Sequence, residues 1–194
     1  MLPAPLQSLL DQVAACEADA RSLVDGLTDE EVNWQVAPGK TWSIAQCLDH
    51  LRATNEFYLQ RFLPLAEQAR DGGPGPFSGL EPSGIGRWFL RTLEPPVRMR
   101  AGAPKAVVPA STASRATLVP NLVASHDPYR RLVAAAAFVD ANRVVGPNPF
   151  FPVFRMRLST VLGVIPAHDR RHLWQARIVR EAIDRRAAGA RPSP

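Results

Sequence analysis

The sequence predicts an all-α fold, a four-helix bundle with a long irregular crossover between its second and third helices. Four segments repeat apolar residues at the three- and four-residue spacing of an amphipathic helix, and no run alternates Val, Ile or Thr as a strand would. Between the second and third of these segments, Pro and Gly are too frequent for a regular element. At 194 residues, the chain has the length of one well-packed domain.

The first helix is expected over residues 6–27, where apolar side chains repeat along one face. That face consists of Leu6, Leu9, Leu10, Val13, Cys16 and Ala20. Thr28 and Glu31 then have the spacing of a capping box, in which a hydroxyl and a carboxylate each bind the backbone N–H of the other residue. They predict a short helical turn over residues 30–34, and Pro38-Gly39 breaks the chain after it.

Ser43 and Gln46 repeat the capping pattern and predict the start of the second long helix, over residues 44–67. Its apolar stripe is Ile44, Cys47, Leu48, Leu51, Phe57, Tyr58 and Phe62. Residues 71–110 follow, and 14 of these 40 residues are Pro or Gly. We expect a crossover loop there that acts as a lid over a site, with a short helix over residues 85–93. Trp88, Phe89 and Leu93 of this short helix are expected to cover part of the core.

The third helix is expected over residues 114–142, with a kink or restart at Pro128. A Gly-Pro-Asn-Pro cluster at residues 146–149 ends it. The fourth helix is expected over residues 154–186, where Gly163 and Pro166 predict a kink. Its stripe is Leu158, Val161, Leu162, Ile165, His168, His172, Ala176 and Val179. The bundle therefore spans residues 1–186, and residues 187–194 are expected to be a disordered tail.

Composition disfavours nucleic-acid binding, a membrane span and a disulfide framework. The net charge of +5 comes almost entirely from arginine, but the arginines are dispersed and match no nucleic-acid-binding motif. No apolar run is long enough to span a membrane, and the first residues do not resemble a signal peptide, so we expect a cytoplasmic protein. Two cysteines cannot form a disulfide framework, and both lie in helical patterns as expected of core residues.

His168 and His172 lie four residues apart, so both imidazoles project from one face of the fourth helix. That spacing is typical of a metal site, although a core pair bonded to backbone or carboxylates would have the same pattern. Two histidines need a third ligand, and His50 on the second helix is the candidate. Asp169 stands where an H-E-x-x-H zinc protease has its glutamate, but aspartate is one methylene shorter and the third histidine lies upstream on another helix, which disfavours a protease.

Other side chains near these histidines have open roles. Asp49 and Asp169 either accept hydrogen bonds from the imidazoles or are solvated, and Gln46 and Gln175 are candidate cap or orienting groups. The Cys47 thiol, one turn before His50, either approaches the metal or belongs to the core. His126 matches no motif and is a further candidate to face the site. A di-iron carboxylate bundle is disfavoured because the sequence contains no Glu-x-x-His unit.

Two segments resemble those of the DinB-like (DinB/YfiT) helical-bundle superfamily. Residues 42–51 read WSIAQCLDHL, similar to the family's W-[ST]-x-x-[EQ]-x-[LV]-x-H-[LI], and residues 168–176 read HDRRHLWQA, similar to its H-D-x-R-H-x-x-Q. The resemblance implies a four-helix bundle in which His50, His168 and His172 hold one divalent metal, usually zinc or nickel, with open positions for water. Pro166 and the long segment 71–110 depart from the family's pattern.

The resemblance also implies a function. We expect a metal-dependent enzyme that acts on a small molecule, either with hydrolase-like chemistry through metal-bound water or by transfer of a low-molecular-weight thiol held as thiolate. The sequence shows no separate acid–base dyad, which favours thiol transfer. The alternative is a non-catalytic bundle whose metal is structural and which binds a ligand or partner. A homodimer formed through helix faces is expected by analogy alone.

Overall fold

The structure is a computed structural model that describes residues 1–72, 75–97, 102–109 and 112–189. Helices dominate it, and one short hairpin joins the last two of them. In chain order the elements are α1 (Ala4–Val24), α2 (Asp29–Asn33), α3 (Ile44–Asp71), α4 (Gly84–Leu93), a 3-10 turn (Lys105–Val107), α5 (Arg115–Ser125), α6 (Asp127–Ala136), β1 (Val145–Pro147), β2 (Arg155–Arg157) and α7 (Leu158–Gly189).

The bundle consists of α1, α3, the pair α5 and α6, and α7. Helix α3 packs against α7, α5 and α6, while α1 packs against α7 on the other side, so the predicted all-α bundle is confirmed. Helix α4 lies outside these four positions, on α7. Across the described ranges, no helix is both long enough and apolar enough to cross a bilayer.

Two apolar clusters form the core. One takes side chains from the first half of α1, the second half of α3, α6 and the beginning of α7. The other takes side chains from the second half of α1, the first half of α3, α5 and the end of α7. Buried polar side chains gather where the clusters meet, and we call the following set the polar layer. It consists of Glu17, His50, Thr54, Asn55, Ser125, His126, Asp169 and His172.

Both predicted capping boxes are present, and they determine where α2 and α3 begin. The Thr28 hydroxyl accepts from the backbone N–H of Glu31, whose carboxylate accepts from the N–H of Thr28. Ser43 and Gln46 make the same reciprocal pair, so α3 begins at the predicted residue. Because α3 carries His50 in its second turn, this cap fixes the start of the helix that brings His50 to the site.

The predicted third helix restarts next to Pro128, which is one of the two predicted outcomes, but it ends earlier than predicted. Pro128 has no N–H to donate to the carbonyl of Ala124, so the chain ends one helix at Ser125 and begins the next at Asp127. Helix α6 ends at Ala136 instead of residue 142. The residues after it turn back, and their carbonyls accept from the first residues of α7, as in the bond from the N–H of Leu158 to the oxygen of Val144.

A short antiparallel hairpin, which the sequence did not predict, lies before the last helix. Val145, Gly146 and Pro147 pair with Arg157, Met156 and Arg155. Each strand has only three residues, too few for an alternating pattern to stand out. Helix α7 therefore begins at Leu158 and not at residue 154. At its other end it continues to Gly189, so residues 187–189 are helical where a disordered tail was expected, and residues 190–194 lie outside the described ranges.

Helix α7 continues through Pro166, where a kink was expected. Proline cannot donate to the carbonyl four residues earlier, which is that of Leu162. In the structure, the hydroxyl of Tyr129 donates to this carbonyl oxygen at 2.6 Å. Since Tyr129 is fully buried on α6, a tertiary hydrogen bond replaces the one that Pro166 removes. The helix that carries His168 and His172 is therefore unbroken on either side of the proline.

Helix α4 confirms the short helix that was predicted within residues 71–110, and it packs closely on α7. Leu93 is buried and Phe89 half-buried, as expected, but Trp88 is 58% exposed and does not cover the core. Two glycines allow the close approach: Gly86 of α4 lies against Thr160, and Gly163 of α7 lies against the side chain of Leu90.

Replacing Gly86 with alanine should destabilise the protein. A Cβ at this position would lie 2.5 Å from the Thr160 hydroxyl oxygen and 3.2 Å from its methyl carbon, so α4 or Thr160 must move. We expect Gly86→Ala to lower the free energy of unfolding by about 1–3 kcal/mol, measured by urea denaturation. Gly84→Ala is the matched control because a Cβ there meets no atom within 4 Å. Equal midpoints for the two variants would contradict the close packing of α4 on α7.

Candidate metal centre

The three predicted histidines come together between α3 and α7. One nitrogen from each of His50, His168 and His172 lies within 4.8 Å of the other two, and within the described residues they are the group suited to hold a metal ion. The ring centroids are 5.1 Å apart for His50 and His168, and 4.6 Å apart for the two pairs that include His172. The sequence prediction that these residues share one site agrees with this geometry.

Two of the imidazoles are oriented by a hydrogen bond at Nδ1. The Nδ1 atom of His50 lies 2.7 Å from the carbonyl oxygen of Val107, and that of His172 lies 3.1 Å from the amide oxygen of Gln175. Because these oxygens only accept, each Nδ1 carries a hydrogen and donates it, which leaves the lone pair on Nε2. This arrangement is typical of metal-binding histidines, whose second nitrogen is held by a neighbouring acceptor.

The third imidazole provides the test of whether the residues fit a metal. His168 Nδ1 is buried and has no hydrogen-bond partner in the described part of the chain. A buried polar atom without a partner is costly, and a metal ion is one group that satisfies an imidazole lone pair. The alternative, a core histidine pair held only by backbone or carboxylates, leaves this atom unexplained. The donor set therefore fits a divalent metal that prefers nitrogen ligands.

All three histidines are held in their neutral form. Burial lowers the pKa of His50, although its bond to Val107 opposes the shift. Burial, with the charges of the other two histidines, holds the pKa of His168 well below its ordinary value. Burial likewise lowers the pKa of His172 to about 3, and His50 and Arg171 add to the effect. Neutral imidazole is the form that coordinates a metal, so the cluster is prepared for one.

Contacts from α4, Glu94 and the 3-10 turn reach the helices that carry the histidines. Arg171 donates from Nη1 to the carbonyl of Thr92 at 2.7 Å, and Arg170 binds the carboxylate of Glu94 through two guanidinium nitrogens. The bond from His50 to Val107 adds a contact between α3 and the 3-10 turn. On another side of the cluster, the Trp42 ring stacks on His172 with centroids 5.5 Å apart and tilts against His50 at 4.7 Å.

Two further residues of the sequence analysis have partners other than the three histidines. Cys47 is fully buried among apolar side chains of the second cluster, and burial raises the pKa of its thiol far above the ordinary value, so it is a core residue. Asp49 binds Arg52 at 2.9 Å. Gln46 caps α3, whereas Gln175 orients His172, so the two candidate glutamines have different roles.

Asp169 and His126 bind each other instead of the three histidines. The carboxylate of Asp169 is fully buried, and its Oδ2 lies 2.9 Å from Nε2 of His126. The other nitrogen of His126 lies 2.9 Å from Oε1 of Glu17, and the amide of Asn55 donates to Oδ1 of Asp169 at 3.5 Å. Asp169 is therefore neither solvated nor the bond partner of a predicted ligand, and it is not placed to act as the base of a zinc protease.

The sequence analysis missed Glu17 and Asn55, both of which lie on buried helix faces. Glu17 follows Cys16 and lies three residues before Ala20 on α1, so a carboxylate interrupts a face that is otherwise apolar. Asn55 stands one turn after Leu51 in the buried face of α3. A buried charged residue requires a partner, so these interruptions were the signal that could have predicted the network.

The pair of charges on Glu17 and His126 is favoured in the folded protein. Burial opposes the charge on His126, but the bond and charge of Asp169, followed by those of Glu17, raise its pKa above the ordinary value. Burial also opposes the charge on Glu17, but hydrogen bonds from His126 and Arg130 lower its pKa below the ordinary value. Both shifts favour the ionised forms, which attract each other.

A helical bundle whose facing helices bring three buried histidines together has a donor set that could hold a metal ion. The model of the DinB superfamily matches residues 12–176, which is most of the chain and includes all three histidines. The chain therefore belongs to the DinB superfamily. Comparison with curated proteins and with solved structures gives no significant match.

The metal group predicts a defined stoichiometry. We expect purified or reconstituted wild-type protein to hold about one equivalent of divalent metal per chain, measured by inductively coupled plasma mass spectrometry. His50→Ala, His168→Ala and His172→Ala should each lose the metal because each removes one of three nitrogen ligands. Cys47→Ala is the control and should keep it. Metal-free wild-type protein after reconstitution, or loss of metal from Cys47→Ala, would show that the ligands are assigned wrongly.

The network around His126 predicts a pH-dependent contribution to stability. Its folded pKa lies above 6.5, so its stabilisation is complete below pH 6.5 and is lost as pH rises through the folded pKa. The folded pKa of Glu17 lies below 4.5, so its stabilisation is complete above pH 4.5 and is lost as pH falls through the folded pKa. The charged groups that face His126 are Glu17 of α1 and Asp169 of α7, and Arg130 of α6 binds Glu17.

We therefore expect the difference in unfolding free energy between wild type and His126→Gln to be largest between pH 4.5 and 6.5 and to shrink as pH rises further. Urea denaturation of both metal-free proteins across this range measures it. The subtraction removes the contribution of the three metal-group histidines, which titrate in both proteins. A difference that stays constant from pH 5 to pH 9 would mean that folding does not raise the pKa of His126.

Proposed function

We propose that this protein is a metal-dependent enzyme in which His50, His168 and His172 hold one divalent metal, zinc or nickel. The observation that carries the proposal is that three buried imidazoles bring one nitrogen each to within 4.8 Å, and no Cys, Asp or Glu of the described residues completes the group. Three protein ligands with an open position are typical of catalytic metal sites, whereas structural sites have four. When bound, such a metal makes a coordinated water or thiol acidic enough to lose its proton near neutral pH.

The charges around the histidines favour an anionic ligand. The three ligands are neutral, and the positive charge of Arg171 is close enough to lower the pKa of each of them. A guanidinium beside a neutral ligand set attracts an anion, such as a thiolate, more strongly than a neutral molecule. Arg171 also donates to the carbonyl of Thr92, so this bond to α4 restrains its position relative to the histidines.

Asp169, the carboxylate candidate for a general base, is hydrogen-bonded to other residues. Asp169 is the acidic residue on the turn between His168 and His172, and its carboxylate is fully buried against His126 and Asn55. Since that carboxylate is not available as a general base, the site is less suited to a hydrolysis in which a side chain removes a proton from water. The arrangement therefore supports transfer of a low-molecular-weight thiol to a small electrophilic substrate over hydrolysis.

A non-catalytic role is the second candidate, and the burial of the ligands favours it. His50 is 4% and His172 is 7% exposed, and Trp42 and Val107 lie against the cluster. A metal enclosed in this way is suited to stabilise the bundle, and the protein would then bind a ligand or partner elsewhere. Cytoplasmic location and homodimer formation remain predictions, which fractionation and sedimentation would test.

The thiol-transfer proposal predicts turnover that requires both metal and thiol. Metal-loaded protein is mixed with bacillithiol, mycothiol or glutathione and a chromogenic aryl chloride. In this reaction the thiolate sulfur forms a bond to the ring carbon and chloride leaves with the bonding electrons. We expect turnover with at least one thiol, reduction to the rate of the metal-free protein in His172→Ala, and retention in Cys47→Ala.

The other outcomes separate the alternatives. Metal-dependent cleavage of a nitrophenyl ester without added thiol would favour hydrolase-like chemistry and contradict thiol transfer. Metal bound at one equivalent, with no turnover of either substrate class and a large loss of thermal stability on chelation, would favour the structural role of the metal.

A further inference from the structure

Three ionisable side chains form a buried chain that the proposed function does not use. Nδ1 of His126 lies 2.9 Å from the carboxylate of Glu17, and Nε2 lies 2.9 Å from the carboxylate of Asp169. The side chains of His126 and Asp169 are fully buried, and that of Glu17 is 9% exposed. Such a group is expensive to bury and must be well paired to persist in a core.

The hydrogen-bond geometry suits a cationic central residue. Ionised carboxylates only accept hydrogen bonds, so both nitrogens of His126 donate when Glu17 and Asp169 are ionised, and an imidazole with two donors is the cation. Arg130 binds the same oxygen of Glu17 at 2.6 Å. Two negative groups, Glu17 and Asp169, therefore face two positive groups, His126 and Arg130, and the network is neutral as a whole.

The network connects α1, α3, the junction of α5 and α6, and α7, close to the three histidines. Glu17 lies on α1, His126 lies between α5 and α6, and Asp169 lies on α7. Asn55 of α3, which donates to Asp169, stands five residues after His50. Asp169 thus accepts hydrogen bonds from two neighbouring positions of the bundle, one of which also carries a predicted metal ligand.

Asp169 directly follows His168 on α7, so a hydrogen bond that fixes the direction of the Asp169 side chain also fixes the direction of His168. Successive residues of an α-helix point about 100° apart, so fixing the direction of residue 169 fixes the rotation of α7 about its own axis. His168 and His172 can meet His50 only at one such rotation. The charged bond from His126 is the shortest hydrogen bond that Asp169 makes within the described residues.

We propose that His126 is a positioning residue for the metal centre, acting through Asp169 to orient the turn of α7 that carries His168 and His172. The inference rests on the proposed metal site. Its rival is a purely structural network, which would stabilise the bundle without influencing the metal. The two differ in what they expect for Glu17, which contacts the same imidazole as Asp169 but lies on a helix without a ligand.

Cobalt(II) titration of the full-length protein tests this inference. Co²⁺ alone is the probe, and its dissociation constant and visible absorption bands report the ligand geometry without any assay of activity. Asp169→Asn and Glu17→Gln are matched variants because each replaces a carboxylate by its amide next to His126. We expect Asp169→Asn to weaken Co²⁺ binding about 10–100-fold and to change the bands. Glu17→Gln should lower thermal stability but change affinity less than about threefold.

Two His126 variants test whether a hydrogen-bond donor at this position restores Co²⁺ binding. His126→Leu removes both donors and should weaken Co²⁺ binding as Asp169→Asn does, whereas His126→Gln retains an amide donor for Asp169 and should recover most of the affinity. Should the leucine variant fail to fold, Asp169→Asn against Glu17→Gln decides the matter alone. Wild-type affinity and spectrum in Asp169→Asn, or equal weakening in Glu17→Gln, would overturn the positioning role while leaving the metal site intact. Wild-type protein that binds no Co²⁺ would overturn both proposals.

Discussion

The polar layer is the constraint on which the rest of the structure depends. Apolar packing alone tolerates small sliding and rotation of helices, but a buried polar atom must meet its partner at hydrogen-bond distance or lose favourable free energy. In this bundle the layer separates two apolar clusters and takes side chains from α1, α3, the junction of α5 and α6, and α7. Its hydrogen bonds therefore select one register and one rotation of the helices among those that the apolar clusters would allow. His50 and His172 belong to this layer, so the geometry of the three-histidine group depends on that selection.

Two main-chain carbonyls outside the bundle helices contact the histidine cluster and its neighbour. His50 donates to Val107, which lies in the 3-10 turn, and Arg171 donates to Thr92 at the end of α4. The carbonyl of Val107 fixes the tautomer of His50, so the orientation of this predicted ligand depends on the place of the 3-10 turn. In the same way, the place of Arg171 depends on α4.

The sequence predicted those features that depend on residues close together in the chain. The four-residue spacing of His168 and His172, the capping boxes at Thr28 and Ser43, and the apolar stripe of α3 all depend on neighbours within two turns, and the structure confirms them. The link from those histidines to His50 came from a family motif, since spacing cannot relate two helices. The network of Glu17, His126 and Asp169 was missed because its partners stand 109 and 43 positions apart. The hairpin and the early end of α6 were not predicted because tertiary contacts decide them, whereas the split at Pro128 is one of the two outcomes that the sequence allowed.

Pro166 shows how a local defect and a remote contact combine. The proline stands two residues before His168 and removes the hydrogen bond to the carbonyl of Leu162, which would weaken α7 where it must be rigid. The start of α6 and the residue that precedes it compensate on both sides of the defect. Tyr129 donates to the carbonyl of Leu162 before the proline, and His126, three residues earlier on the chain, binds Asp169 after it. Since Tyr129 and His126 are both fully buried, they hold α7 at two points that bracket Pro166 and His168. The direction of the turn that carries His168 and His172 is therefore restrained by residues that are not among the predicted ligands, and a proline there is tolerated because the tertiary bonds do not require its N–H.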